Sequence, residues 1–190
     1  KRTLDVAGAA VLLVVAAPVL LAASAAIAVT MGTPVLFRQA RTGRGGRVFM
    51  LWKLRTMRAV CAGESLIGSE AVRLTRVGRW LRATSLDELP QLWNVLRGDM
   101  SLVGPRPLLP EYVGRYSPRQ ARRHDVLPGL TGLVQVSGRN ALAWGEKLEL
   151  DVWYVDHRSL RLDATILVRS VGAVAARTGV APEGASEFRG

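Results

Sequence analysis

The 190-residue sequence contains one cysteine, two histidines and three lysines, and these scarcities narrow what the protein can be. One cysteine excludes a disulfide framework, and the two histidines, His124 and His157, stand at no metal-ligand spacing. The 19 glycines and 9 prolines follow no period, which excludes collagen-like and low-complexity chains. With 49% hydrophobic and 22% charged residues, the chain is instead long and apolar enough for one domain with its own core.

Negative charge is also scarce. Aspartate and glutamate number 15 against 26 lysines and arginines, for a net charge of +11, which points to anionic partners such as nucleic acid, acidic lipid or phosphorylated substrates. Arginine dominates the cations, and its forked guanidinium favours bidentate binding of phosphate or carboxylate, although a GC-rich genome produces the same bias. The sequence carries no helix-turn-helix, zinc or aromatic-stacking signature of nucleic-acid binding.

What the sequence does contain is one long apolar run. Val6–Phe37 holds 32 consecutive uncharged residues, where about 20 suffice for a membrane helix. The apolar region of a cleaved signal peptide has about 7–15 residues, so a segment that stays in the membrane is the stronger interpretation. We therefore expect residues 1–37 to be embedded in the bilayer, residues 38–178 to form a cytosolic domain, and residues 179–190 to form a flexible tail.

Two topologies of the apolar run remain open. Pro18, near its middle, removes one helical hydrogen bond and kinks a helix. Lys1 and Arg2 precede the run and four arginines between positions 38 and 47 follow it, and the positive-inside rule places both groups on the cytoplasmic face. A re-entrant helical hairpin with its turn at Pro18 satisfies this rule at both ends. The alternative is a straight span that is oriented by the larger C-terminal group of cations.

Cations recur after the apolar run at positions suited to phosphate. Gln39–Arg47 is a basic glycine loop, and Val48–Thr56 alternates as a strand does, which puts Lys53 and Arg55 on one face. The glycines allow a phosphate to approach the backbone, and the two cations would bind it. The pattern is not a P-loop, however, and a turn beside a solvated edge strand fits it as well.

Glu70–Ala83 has the apolar spacing of a helix, with an arginine at every third position from Arg73 to Arg82. A helix this basic is expected to have anions nearby. They would be solvent counterions, lipid headgroups or a substrate, and the pattern alone does not choose among them.

Two adjacent carboxylates, Asp87 and Glu88, stand in this arginine-rich part of the chain. Ser85 and Glu88 have the spacing of a capping box, but Pro90 would then lie too deep in the helix. We therefore expect either a helix that starts nearer Glu88 or an irregular first turn with the acids at its mouth. A carboxylate can attack a phosphoryl group only where cations neutralise its oxygens. The candidate cations are Lys53, Arg55, Arg82 and Arg106. Two acids without histidine or cysteine partners favour a hard cation, so Mg²⁺ is predicted on Asp87 and Glu88.

Several of these motifs stand in a fixed order along the chain. They are Lys1-Arg2-x-x-Asp5, the apolar run broken by Pro18, Arg41-x-Gly43-x-x-Gly46-x-x-Phe49-x-x-x-Lys53-x-Arg55-Thr56-Met57, Ser85-Leu86-Asp87-Glu88-Leu89-Pro90-Gln91, Gly98-Asp99-Met100-Ser101 and Gly104-Pro105-Arg106-Pro107. Together they resemble the bacterial sugar transferases, the monotopic phosphoglycosyl transferases. The resemblance covers residues 1–172, and the ordered set is far more specific than any single motif.

The resemblance implies a fold and an activity. The fold would be α+β and mostly helical, with an N-terminal re-entrant hairpin and a small cytosolic catalytic domain of short strands and interfacial amphipathic helices. The activity would be transfer of sugar 1-phosphate from a UDP-sugar to polyprenyl (undecaprenyl) phosphate with release of UMP. This would be the first membrane step in the assembly of a polysaccharide or glycoprotein glycan, at the cytoplasmic face of the bacterial inner membrane. Asp87 would be the nucleophile, forming a phosphosugar-aspartyl intermediate. Glu88 would assist metal binding or activation of the lipid phosphate, with Mg²⁺ on the diphosphate.

The family pattern continues downstream. Two glycine-rich stretches begin at Pro128 and Gln135, and the second contains Arg139 and Asn140. Asp151 and Tyr154 lie three apart on a predicted helix and so face one way. The resemblance implies that these side chains line the nucleotide or sugar pocket, although a tyrosine such as Tyr154, taken alone, is more often a packing residue. One departure is Ala17 before the proline, where relatives often have serine.

The implied partners are the UDP-sugar, the polyprenyl phosphate, the bilayer and downstream membrane glycosyltransferases, with no nucleic acid. Two alternatives of other classes are a basic membrane-tethered nucleic-acid-binding protein and a non-catalytic membrane scaffold. A last helix is predicted near Leu160–Ala176, where an apolar stripe would partly close the core and partly lie on the membrane interface.

Overall fold

A computed structural model describes residues 1–59, 70–138 and 141–175. Its elements are α1 (Arg2–Met31), β1 (Leu36–Thr42), β2 (Val48–Leu54), α2 (Glu70–Arg73), α3 (Arg76–Ala83), α4 (Gln91–Arg97), β3 (Ser101–Val103), α5 (Pro118–Ala121), β4 (Gly129–Thr131), α6 (Leu133–Val136), α7 (Trp144–His157) and α8 (Leu160–Ala175). Short 3₁₀ turns occupy Arg44–Gly46, Leu86–Glu88, Pro110–Arg115 and Arg122–Asp125. The described chain is mostly helical with small sheets, as predicted. The predicted tail, residues 179–190, lies outside the described residues.

The four strands form two separate two-stranded sheets. β1 and β2 form an antiparallel hairpin in which Leu36 pairs with Leu54 and Thr42 with Val48. β3 and β4 pair in parallel. The strand predicted at Val48–Thr56 is confirmed for its first seven residues. The loop predicted at Gln39–Arg47 is wrong in its first half, because residues up to Thr42 are the partner strand and only the glycine-containing turn remains.

The core has two parts, and α1 contributes to both. The larger part packs Ala9 of α1 against residues of α4, β3 and α8, including Leu92, Leu102 and Ile166. The smaller part packs Ala23 and Ile27, from the second half of α1, against Leu54 and Leu81. α1 is therefore joined to the rest of the fold along most of its length.

Both ends of α1 are also held by polar contacts. Near its start, Asp5 accepts hydrogen bonds from the Ser101 hydroxyl at 2.9 Å and the Leu102 amide at 3.2 Å. At its end, the Arg55 guanidinium donates to the carbonyls of Met31 and Gly32. Because these anchors belong to one folded body, the two ends of the apolar helix lie against the same domain.

α1 is long and apolar enough to cross a membrane. Its most apolar 18-residue stretch has a mean hydropathy of 2.6, and only 11% of that stretch is buried inside the protein. Helical hydrogen bonding is assigned without a break from Arg2 to Met31, with Pro18 inside. A re-entrant turn at Pro18 is thus not shown, and the hairpin stays a prediction.

The helix predicted at Glu70–Ala83 divides into α2 and α3. Thr75 begins α3, because its hydroxyl accepts a hydrogen bond from the Gly78 amide at 2.9 Å. Gly78 then packs directly on Thr56. A Cβ at position 78 would lie 1.9 Å from the Thr56 carbonyl oxygen, so only glycine allows this approach. The contact fixes α3 against the end of β2.

α8 has two different faces. Asp163 and Ile166 are buried, whereas Leu160, Leu167 and Val171 are exposed apolar side chains. The predicted stripe is therefore the outward face of the helix, and the buried face is shifted from it by one position. Lys1 reaches Asp163 at 2.5 Å and so joins the start of α8 to the start of α1.

Candidate active site

The two acids lie on a 3₁₀ turn, Leu86–Glu88, immediately before α4. Ser85 precedes the turn with φ 56° and ψ 16°, a left-handed conformation that no other described non-glycine residue adopts. Its side chain makes no capping hydrogen bond, so the capping box does not form. The irregular first turn expected from Pro90 is confirmed, and it places both carboxylates at the mouth of α4.

Glu88 is held by two cations. Its Oε1 atom accepts from Lys53 Nζ at 2.9 Å and from Arg106 Nη2 at 2.7 Å. Burial opposes ionisation, but the charges and hydrogen bonds of Arg106 and Lys53 outweigh it and hold the pKa of Glu88 well below its usual range. Glu88 is therefore ionised at any physiological pH.

Asp87, in contrast to Glu88, does not form an ion pair with these two cations. Its residue is only 7% exposed, and its carboxylate accepts no hydrogen bond from any residue of the described ranges. Burial first, and the neighbouring Glu88 charge second, raise the pKa of Asp87 to about 6, while Lys53, Arg82 and Arg106 act in the opposite direction. A buried carboxylate with a raised pKa, to which no described residue donates a hydrogen bond, is a candidate functional group.

Three of the four predicted cations meet at these acids. Lys53 extends from β2 and Arg106 from the loop after β3. Arg82, near the end of α3, donates to the Thr56 hydroxyl at 3.1 Å and acts on Asp87 through its charge. The site is thus an anionic pair surrounded by cations from three separate elements.

Arg55 does not join them. β2 ends at Leu54, so the alternation that would place Lys53 and Arg55 on one face stops before the second residue. The Arg55 guanidinium instead binds the end of α1. The structure gives it an anchoring contact in place of the predicted phosphate contact.

Asp151 and Tyr154 lie in buried networks away from the acids. Asp151 pairs with the buried Arg123 at 2.6 Å, and burial is the main cause that raises the pKa of Asp151. The Tyr154 hydroxyl donates to Asp163 at 2.6 Å and lies 3.1 Å from the Val103 carbonyl, and burial raises the pKa of this hydroxyl above its usual value. Their predicted place in the substrate pocket has no support in these contacts.

Arg123 is the residue that the sequence did not single out. It is 3% exposed, and its Nη2 donates both to Asp151 and, at 2.7 Å, to the Arg106 carbonyl. Asp151 thereby acts on the site indirectly, by fixing the backbone of the arginine that binds Glu88. Arg123 carries no sequence signal of its own among 23 arginines.

Close backbone packing also fixes Arg106. A Cβ on Gly129 would lie 2.1 Å from the Gly104 nitrogen, and one on Gly132 would lie 2.2 Å from the Gly104 oxygen. The glycines of the Gly104-Pro105-Arg106 and Pro128-Gly129 motifs therefore let two loops touch backbone to backbone. Their role in the described structure is to support Arg106.

Asn94 is a second residue that sequence reasoning missed. It is fully buried in α4, accepts from the Trp52 amide at 3.2 Å and donates to the Met50 carbonyl at 2.8 Å. It ties α4, which follows the acids, to β2, which carries Lys53. The one sequence signal for a buried role of Asn94 is that it stands between apolar residues in the Gln91–Val95 segment.

Two predicted pocket residues, Arg139 and Asn140, lie outside the described residues, and so does the single cysteine, Cys61. Within residues 1–59, 70–138 and 141–175, no group of three or more His, Cys, Asp or Glu side chains could hold a metal ion. Among the described residues, Asp87 and Glu88 are the carboxylates held beside Lys53 and Arg106. His157 stacks on Trp153, and burial lowers the pKa of His124 to about 4.

In the comparisons with known proteins, this chain matches sugar transferases and sugar phosphotransferases. The family model described as bacterial sugar transferase matches residues 1–177. EpsL of Bacillus subtilis, an uncharacterized sugar transferase, is 47% identical, over 95% of this chain and 89% of its own length. The UDP-glucose:undecaprenyl-phosphate glucose-1-phosphate transferase of Caulobacter vibrioides is 46% identical, over 90% of this chain and 68% of its own length. The undecaprenyl-phosphate galactose phosphotransferase of Salmonella typhimurium is 36% identical over 94% of this chain, which spans 41% of that protein.

Proposed function

The chain belongs to the bacterial sugar transferase family and is therefore a transferase, and from this premise we propose that it transfers sugar 1-phosphate from a UDP-sugar to polyprenyl phosphate. The products are UMP and a polyprenyl-diphosphate-linked sugar, the starting lipid of a glycan. The names of the relatives from Caulobacter vibrioides and Salmonella typhimurium support the acceptor and the class of group transferred. The observation that carries the proposal is the buried Asp87 carboxylate, which accepts no described hydrogen bond beside three cations.

The reaction proceeds in two displacements. In the first, an Asp87 carboxylate oxygen attacks the β-phosphorus of the UDP-sugar, a phosphorus–oxygen bond forms to Asp87, and the bond to the bridging oxygen breaks with release of UMP. In the second, an oxygen of the polyprenyl phosphate attacks the same phosphorus and the bond to Asp87 breaks. Asp87 returns as a carboxylate, so the cycle needs no oxidant or reductant.

The cations of the site would balance the negative charge of the substrate phosphates. Two phosphates bring several negative charges beside two carboxylates, and Lys53, Arg82 and Arg106 are fixed before the substrate arrives. Preorganised cations of this kind stabilise the charge that develops on phosphoryl oxygens. Glu88 already holds Lys53 and Arg106 in the site, and this is its role before the substrate binds.

The residues fit a magnesium ion. Mg²⁺ is usually held by one or two carboxylates together with substrate phosphates and water, and the site offers an uncommitted Asp87 carboxylate and one oxygen of Glu88 beyond the Oε1 that the cations occupy. When bound, the ion would neutralise diphosphate oxygens. Asp87 and Glu88 would hold it, while the three cations bind the remaining phosphate charge.

The membrane location follows from the acceptor, a lipid with its phosphate at the headgroup plane. Both ends of α1 lie against the domain that carries Asp87, and this supports a helix that enters and leaves one leaflet. A straight helix of 30 residues would be about 45 Å long and would separate its ends by more than a bilayer core of about 30 Å. We place the domain at the cytoplasmic face of the bacterial inner membrane, where the nucleotide sugar is made. The alternatives of a nucleic-acid-binding protein or a scaffold have no support in these observations.

The testing experiment uses the purified full chain in detergent with a panel of UDP-sugars. Without acceptor, the wild type should release about one equivalent of UMP and gain the mass of one phosphosugar on Asp87; with polyprenyl phosphate, it should turn over. Asp87→Asn should do neither, and EDTA should stop both steps. An adduct on any other residue would refute the nucleophile, and full activity in EDTA would refute the metal. Gly114→Ala is the control for effects of mutation and purification, because position 114 is remote from the acids in sequence and has open space for a Cβ.

A further inference from the structure

An apolar cleft of about 650 Å³ lies between α1 and α3. Its α1 wall consists of Pro18, Val19, Ala22, Ala23 and Ala26, and its α3 wall of Arg76, Val77, Trp80 and Leu81. Apart from the Arg76 guanidinium and the indole nitrogen of Trp80, these walls present hydrocarbon. A sugar or nucleotide needs several polar partners to leave water, so the cleft suits an aliphatic chain instead.

The cleft opens toward the face of α1 that the protein leaves uncovered. Val19 and Trp80 are 41% and 54% exposed, so the walls end at the surface rather than closing over the space. An exposed apolar face on a helix of this length is what a bilayer covers. A chain that enters the cleft from the lipid phase would therefore not cross water.

α3 carries one cation at the cleft and another at the acids. Arg76 lines the cleft, and Arg82, near the other end of the helix, acts directly on Asp87. The wall residue Leu81 packs in the same small core as Leu86, the residue before Asp87. α3 thus joins an apolar cleft to a cation of the site, which is complementary to a molecule with a hydrocarbon tail and a phosphate head.

We propose that this cleft binds the hydrocarbon chain of the polyprenyl phosphate acceptor next to its phosphate, and so positions that phosphate for attack on the Asp87 adduct. The proposal rests on the function proposed above and adds the acceptor-chain site to it. Ordinary membrane phospholipid shares the chemistry of a tail with an anionic head, and the experiment distinguishes it from the acceptor.

The first test fills the cleft. Ala22→Leu and Ala26→Leu add bulk to the α1 wall, and Ala28→Leu adds the same bulk to an exposed position of α1 that does not line the cleft. In the full chain, the two cleft variants should raise the KM for polyprenyl phosphate about tenfold, since the chain loses burial. Their UMP burst without acceptor should match that of Ala28→Leu. An unchanged acceptor KM, or an equal rise in Ala28→Leu, would overturn the proposal.

The second test needs no variant. A polyprenyl phosphate carrying a diazirine in its first isoprene units is photolysed on the wild type, and the adduct is mapped by mass spectrometry. Labelling should fall on the cleft walls and be displaced by unlabelled polyprenyl phosphate, but not by the same excess of phosphatidylglycerol. Displacement by both lipids, or labelling spread along the outer face of α1, would overturn the acceptor site. Absence of any UMP burst in the wild type would instead refute the proposed function.

Discussion

Replacing Asp87 with asparagine should stabilise the protein while abolishing its activity. The pKa of Asp87 rises from 3.8 to about 6 because burial, and then the Glu88 charge, disfavours the ionised form. A rise of this size means that the ionised carboxylate lowers the free energy of unfolding by about 3 kcal/mol at neutral pH. Asparagine has nearly the same shape and no charge, so the variant is released from that penalty.

The gain should depend on pH with a definite sign. Above pH 6 the native carboxylate is ionised and the full penalty applies. Between pH 6 and pH 4 the native state takes up a proton before the unfolded state does, so the penalty falls to about 1.5 kcal/mol at pH 5. Near pH 3 both states are protonated and the advantage of the asparagine variant should vanish.

Thermal unfolding in detergent, with EDTA present to remove bound metal, measures this directly. At pH 7.5 the Asp87→Asn variant should melt about 6–10 °C above the wild type, and the two curves should converge near pH 3. Glu88→Gln is the matched control, because it makes the same chemical change one residue away and loses the acceptor of both Lys53 and Arg106. It should be less stable, by on the order of 3 kcal/mol. A loss of stability in both variants, or a gain at position 87 that is the same at every pH, would refute the raised pKa of Asp87.

The remaining predictions concern rate, packing and topology. The UMP burst rate should fall at acid pH, by about tenfold per pH unit once Asp87 is protonated, and level off at higher pH; a rate that stays the same throughout the acid range in which the protein remains folded would contradict a carboxylate nucleophile. Gly78→Ala should cost about 1–3 kcal/mol in denaturant unfolding and lower activity, because its Cβ meets the Thr56 carbonyl, whereas Gly114→Ala, with open space around it, should do neither. A reporter cysteine replacing Lys1 in a Cys61→Ser background should resist an impermeant maleimide in intact cells and react after lysis; labelling before lysis would contradict the hairpin.

The sequence was sufficient for those features that depend on neighbours along the chain. The alternation of Val48–Thr56 predicted β2, and Pro90 predicted the irregular turn that holds Asp87 and Glu88. Lys53, Arg82 and Arg106 were predicted near these acids as cations for phosphate, and the structure places all three there, where two of them pair with Glu88. Local pattern and charge balance together located the centre of the site.

Sequence reasoning failed where a side chain's partner is set by packing of distant elements. Nothing local distinguishes Arg123, which is buried behind Arg106, from the exposed arginines around it. Arg55 departs from the alternation because its strand has ended and the carbonyls at the end of α1 are within reach. Asp151 was expected among the substrate contacts, but a buried carboxylate satisfies itself with the nearest buried cation, and that cation is Arg123.

The pKa of Asp87 is raised and that of Glu88 is lowered, although the two carboxylates are adjacent in one site. Lys53 and Arg106 both bind a single oxygen of Glu88, so their charge is largely committed to that residue, and Asp87 keeps a raised pKa although the same cations surround it. In the mechanism proposed above, a diphosphate in the site would compete with Glu88 for these two cations. Glu88 would then be free to hold a metal ion or to interact with the incoming lipid phosphate, and Asp87, which does not bind these cations in the described structure, would remain available to attack. The environment of each acid, rather than its residue type, would then separate the proposed nucleophile from its partner.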